Sequence, residues 1–170
     1  DMKLLKITAI LILLALAAQG ATQVYGGYIP SGVWLEEFSP YYVMDTIYIP
    51  KNNELRIEYG CELRFSNDAM LVVQPGGKLV AGAIKCDGDP AVDTVRFDFS
   101  GAIVESLIGW DGIRVDSTAV CSLDLCRFEG VSRFLGDGPG AVTAYKADLT
   151  VNNSFFNRNR AGLTGGGAMN

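Results

Sequence analysis

The sequence predicts an all-β chain wound into a right-handed parallel β-helix, and three observations carry that reading. An apolar-x-apolar unit returns every 8 residues, through Ile47/Ile49, Leu55/Ile57, Leu63/Phe65, Leu71/Val73 and Leu79/Ala81. Turn-forming residues fill the gaps between these units. After the first twenty residues, no long run carries the 3.6-residue period of an amphipathic helix.

Alternation of this kind marks a strand with one face in an apolar interior. The unit also copies itself at an offset of 16: Leu55 falls on Leu71, Ile57 on Val73, Gly60 on Gly76 and Leu63 on Leu79. The intervening residues are Pro50-Lys51-Asn52-Asn53, Tyr59-Gly60, Asn67-Asp68 and Pro75-Gly76-Gly77. Gly, Asn and Asp accept the positive φ that tight corners require. Three 8-residue units make a coil of 24 residues, and stacked coils bury their apolar side chains against each other. On that geometry Ile47, Leu71 and Val95 stack in one sheet, and Leu55 and Leu79 in the next. An antiparallel β-sandwich is the alternative. It explains the alternation but not a phase that persists over five successive units.

The chain divides into three parts. Residues 1–20 have the layout of a cleavable signal peptide: Lys3 and Lys6, an apolar run from Ile7 to Ala18, then small residues at Ala18, Gly20 and Ala21. Cleavage is expected after Gly20, and the apolar run is too short to span a bilayer comfortably. Residues 21–38 form a lead-in or cap, and residues 39–170 the β-helix. From Asp87 to Leu107 the beat loosens: Cys86-Asp-Gly-Asp-Pro90 reads as a polar turn, Thr94 to Phe99 as a strand, and Ser100 to Ile108 as a loop. The inward pattern resumes at Ile113/Val115 and continues through Leu123/Leu125, Val142/Ala144 and Leu149/Val151. The sequence stops after Ala168-Met169, in mid-repeat and without a recognisable cap, so it is expected to be the N-terminal piece of a longer protein.

Composition excludes several functions. The formal charge is -5, and because Lys3, Lys6 and Asp1 contribute +1, the chain beyond residue 20 carries -6. An acidic chain without a basic run does not suit nucleic acid. Histidine is absent, which removes the usual general base near neutral pH and the commonest metal ligand. Cys61, Cys86, Cys121 and Cys126 lack zinc-site spacing. They read either as buried small hydrophobes or as including one disulfide.

No residue is assigned to catalysis, a cofactor or a metal. Asp111, Asp116, Asp124 and Glu129 are the nearest approach to a carboxylate cluster, but they sit among turns and outward strand positions and read as solvated surface. Asp87-Gly-Asp89, with Asp93 beyond it, reads as a polar turn in preference to a calcium site. Arg56, Arg64, Arg96 and Arg114 occupy outward strand positions and read as solubilising the sheet surface in preference to an exposed basic strip that binds acidic glycans or a partner protein. Asn152-Asn153-Ser154 fits a glycosylation acceptor.

Near the C-terminus, Phe156-Asn-Arg-Asn159 leads to Gly166-Gly167-Ala168-Met169, and Pro139-Gly140-Ala141-Val142 precedes that second element by 27 residues. This pairing resembles the repeats of polymorphic outer-membrane proteins, which join a Phe-x-x-Asn element to a Gly-Gly-Ala-aliphatic element. Met169 and Pro139 depart from that pattern. The stretch from Ser39-Pro40-Tyr41-Tyr42 to Ala81, followed by Trp110-Asp-Gly-Ile113, is similar to the β-helix region of large secreted bacterial surface proteins. Read without the resemblance, Phe156 is an inward core residue, Asn159 a corner residue bonding the turn backbone, and Gly165, Gly166 and Gly167 let adjacent backbones approach closely before the next strand.

The expected function is therefore a secreted or cell-surface segment, outer-membrane or extracellular, with a structural, adhesin-like role. Its partner would be a glycan or a host protein. Its loops 98–108 and 133–139 would make the contacts, and the mature chain would have no membrane span. The alternative is a carbohydrate-active lyase or hydrolase completed by further C-terminal coils. Carboxylates converging in a groove on one sheet face would favour that alternative.

Overall fold

The computed structural model describes residues 20–82, 93–101, 109–132 and 140–160. The helix expected in the export signal, Cys86, the Asp87–Asp89 turn, loop 133–139 and the Gly166–Met169 element lie outside the described residues.

The described chain is a parallel β-helix. Sheet 1 contains β1 (Thr22–Val24), β4 (Tyr41–Val43), β7 (Glu62–Phe65), β10 (Val95–Phe99), β13 (Cys126–Glu129) and β16 (Phe155–Asn157), in that order. Sheet 2 contains β2 (Gly27–Tyr28), β5 (Ile47–Ile49), β8 (Leu71–Val73), β11 (Ile113–Val115) and β14 (Val142–Ala144). Sheet 3 contains β3 (Gly32–Trp34), β6 (Glu54–Ile57), β9 (Lys78–Ala81), β12 (Val120–Asp124) and β15 (Asp148–Asn152). Each successive strand passes to the next sheet, and every ladder is parallel, which rules out the antiparallel sandwich. The segment read as a lead-in, residues 21–38, supplies the terminal strand of all three sheets.

Apolar side chains face inward as the alternation requires. Ile47, Leu55, Leu63, Leu71 and Leu79 are fully buried, and Leu55 pairs with Leu79 while Ile47 pairs with Leu71. Val95 does not follow that register. It lies in sheet 1 beside Cys126, and the neighbour of Leu71 is Ile113. The connection from β9 to β10 is longer than one turn, so the 24-residue count from Leu71 lands one sheet short. Leu125 also departs from the inward pattern. It occupies a corner with φ 47, and the inward pairs are Cys121/Leu123 and Cys126/Phe128.

The corner between sheets 2 and 3 is a stack of like turns. Asn52, Gly76, Thr118 and Lys146 all have positive φ there. Neighbouring turns bond through their backbones, Asn52 N–H to Gly76 O and Thr118 N–H to Lys146 O. Asn and Gly take this conformation readily, whereas Thr118 and Lys146 are held in it by the turns they stack against.

An aromatic column fills the interior beneath sheet 1. Phe97 and Phe128 stack at 4.8 Å, Phe128 and Phe156 at 4.9 Å, and Phe65 and Trp110 at 4.2 Å. The two phenylalanine spacings match the separation of about 4.8 Å between neighbouring strands, so the ladder itself sets the ring distance. Trp110 is fully buried, and its indole N–H donates to the Glu129 carbonyl, so no polar group is stranded.

Candidate functional site

On the outer face of sheet 1, three strands bring charged side chains together and a fourth adds an amide. Glu62 and Arg64 project from β7, Arg96 and Asp98 from β10, Arg127 and Glu129 from β13, and Asn157 from β16. Register places Arg96 beside Glu62 and Arg127, Asp98 beside Arg64, and Glu129 beside Asn157. A polar groove of about 360 Å³ opens here, lined by Glu62, Arg64, Asp98, Ser100 and Glu129.

Residues two apart on a strand share one face and lie within reach of an arginine. The sequence uses that spacing repeatedly. Arg56 Nε bonds Glu54 at 2.8 Å, Arg64 Nε bonds Glu62 at 2.9 Å, Arg114 Nε bonds Asp116 at 3.0 Å and Arg127 bonds Glu129 at 2.6 Å. On β10 the same spacing, Arg96-Phe97-Asp98, carries no ion pair among the described residues. Asp98 Oδ1 is buried and has no hydrogen-bond partner. Arg64 and Arg127 are engaged elsewhere: Arg64 also bonds the Tyr42 hydroxyl at 3.1 Å, and Arg127 turns to Glu129, as does Arg158. Burial pushes the Asp98 carboxyl up to about 6, with Glu129 and Glu62 adding to the rise and Arg127 and Arg96 opposing it.

Three of the four acidic residues singled out from sequence lie on different sheets. Asp116 pairs with Arg114 beside sheet 2, Asp124 accepts from the Tyr59 hydroxyl at the end of sheet 3, and Glu129 belongs to sheet 1. The carboxylates that do converge are Glu62, Asp98 and Glu129, and two of these carried no signal in the sequence. Nor do the outward arginines form one strip. Arg56 lies on sheet 3, Arg64 and Arg96 on sheet 1 and Arg114 on sheet 2, because successive 8-residue units turn onto successive faces. Asp98 and Phe99 belong to β10, as the strand read over Thr94 to Phe99 requires, and not to the presenting loop counted from residue 98. Among the described residues, no group of three acidic or cysteine side chains is arranged to hold a metal ion. Cys61, Cys121 and Cys126 are free and buried. Burial pushes the Cys61 and Cys121 thiols up to about 12, which keeps them unreactive.

Phe156 packs against the core with its ring on Phe128. Asn159 clamps the following corner: its Oδ1 accepts from the Val131 N–H at 3.1 Å, and its Nδ2 donates to the Phe128 carbonyl at 3.0 Å. Asn67 accepts from the Gly109 N–H at the corner after β7. Replacing Asn159 by alanine strands the buried Val131 N–H. The expected loss is about 1–3 kcal/mol in denaturant unfolding, and a loss under about 0.5 kcal/mol would rule out the clamp.

No protein-family model, no curated protein and no solved structure matches this chain. Among the described residues, no helix is long and apolar enough to cross a membrane.

Proposed function

We propose that the chain is a segment of an exported, surface-exposed or extracellular β-helix that binds through its outer faces and catalyses nothing. The observation that supports this most is the placement of aromatic side chains on a rigid scaffold. Tyr25 and Tyr28 are 77% and 71% exposed, and Tyr28 lies 5.6 Å from Tyr48 on the outer face of sheet 2. Rigid tyrosines add contact area at small entropic cost and make good binding anchors. Most outward charges are matched on their own strand, so these rings are the surface features least explained by solubility. A glycan or a partner protein is the ligand class that such a face suits. The C-terminal coil, with Phe156 and Asn159, is read as a repeat of the polymorphic outer-membrane type. Export would depend on residues 1–20.

The test is a glycan array and a partner-surface binding assay with the wild type and Tyr28→Ser. Binding is expected for the wild type and at least a tenfold loss for the variant. Unchanged binding by Tyr28→Ser would remove the tyrosine face from the proposal.

A second reading, a carbohydrate-active lyase or hydrolase completed by further coils, is favoured by the convergence of Glu62, Asp98 and Glu129 in one groove. A carboxyl raised to about 6 beside ionised neighbours suits a general acid. Turnover of acidic polysaccharides that disappears in Asp98→Asn would establish this reading and overturn the first.

A further inference from the structure

We propose that Asp98 is a proton-operated switch built into sheet 1: on mild acidification it takes up a proton, the groove loses one negative charge, and β10 is held more firmly between its neighbours. The inference rests on the interrupted pairing pattern and is independent of which functional reading holds. Four strands spend their outward carboxylate on an arginine two residues away, whereas β10 leaves Asp98 Oδ1 buried and unpartnered at the groove wall. The groups facing it are Glu62 and Arg64 from β7, Arg127 and Glu129 from β13, and Arg96 on its own strand. Arg158 and Asn157, beside β13, are engaged with Glu129. Ionised, Asp98 is a partly desolvated charge between two like charges. Neutral, it carries a proton that can be donated to a neighbouring carboxylate.

A carboxyl that titrates near 6, against the ordinary 3.8, binds a proton roughly 100-fold more tightly folded than unfolded. The sign follows from linkage. Above about pH 6 the folded chain carries the ionised group at a cost, and between about 6 and 3.8 it binds more protons than the unfolded chain. Asp98 therefore adds stability as pH falls through that window. Glu54, whose carboxyl is lowered by Arg56, acts in the opposite sense and only below its ordinary value of 4.5.

Carboxyl-carbon NMR titration of the wild-type chain tests the switch without any variant. A midpoint near 6 is expected, and a midpoint near 3.8 would overturn the proposal. Glu129→Gln should lower that midpoint, because it removes a repelling charge; an unmoved midpoint would remove Glu129 from the switch. Denaturant unfolding adds the mechanical readout. Between pH 7.5 and 5.0 the wild-type unfolding constant should fall by up to about tenfold, because pH 5.0 lies one unit below the folded midpoint and the full 100-fold is reached only below 3.8. Asp98→Asn should show less than a twofold change and should match or exceed the wild type at pH 7.5. A variant that keeps the wild-type pH dependence would also overturn the switch.

Discussion

Replacing Phe97 by alanine is expected to cost about 3–5 kcal/mol, which for a domain of ordinary stability is about a fifth or more of the total. Phe97 is fully buried, with its ring 4.8 Å from Phe128 and 6.5 Å from both Phe65 and Trp110. The usual relief for a truncated core residue is collapse of its neighbours into the space. Here that relief is blocked, because Phe65 and Phe128 are carried on β7 and β13, which are hydrogen-bonded to β10 on either side. Their backbones cannot close the gap without breaking two ladders, so the cavity persists and its full cost is felt. Denaturant unfolding measures the loss, and near-UV circular dichroism should show the aromatic column disturbed. Phe155→Ala provides the contrast. Phe155 is 64% exposed on the outer face of β16, and its truncation is expected to cost under about 0.5 kcal/mol. Equal losses from the two variants would show that the column does not carry the core.

Gly82→Ala is expected to be nearly as damaging, through the backbone in place of the core. Gly82 has φ 77, and its N–H donates to Ile57 O at 2.9 Å, which ties the end of β9 to the coil before it. A Cβ at this position would drive into the Asp124 carbonyl and come within 2.9 Å of the Tyr59 ring. Neither neighbour is free to move. Asp124 closes β12, and its carboxylate accepts from the Tyr59 hydroxyl at 2.8 Å, which holds both at the corner. The left-handed backbone costs an L-residue about 1–2 kcal/mol, and forced overpacking adds about 1–3 kcal/mol, so a loss of about 3 kcal/mol is expected. Gly27→Ala separates the two contributions. Gly27 has φ 89 but no heavy atom within 4 Å of an added Cβ, so only the conformational cost of about 1–2 kcal/mol applies. If unfolding shows the same loss at both positions, the close approach at the Gly82 corner contributes nothing.

Both predictions concern residues that the sequence presents unequally. Phe97 stands in the series of inward apolar positions, two residues from Val95, and its burial follows from alternation. Gly82 follows the last regular repeat and has no pattern around it. Its importance depends on Asp124, which is 42 residues further along the chain and adjacent only because β12 lies beside β9. The groove shows the same division. Arg96-Phe97-Asp98 has the spacing of Glu62-Leu63-Arg64 and Arg127-Phe128-Glu129, so nothing local distinguishes the aspartate left unpaired from the acids that are paired. What distinguishes it is the register that sets Asp98 beside Arg64, which is already bound to Glu62 and Tyr42.

Alternation and turn chemistry are local properties, so the amino-acid sequence was enough for the 8-residue period and for the inward faces of the strands from Ile47 to Ala81, but not for the strands within residues 21–38. It also determined that Leu55 meets Leu79 and Ile47 meets Leu71, where uniform 24-residue coils let the count run unbroken. The tertiary structure alone decided that Val95 joins sheet 1, that Thr118, Leu125, Lys146 and Arg158 take positive φ, and that Glu62, Asp98 and Glu129 converge. Each of these outcomes depends on which coil lies above and below. That depends on the length of the connections between strands, and the residues in those connections carry no periodic signal from which a length could be read.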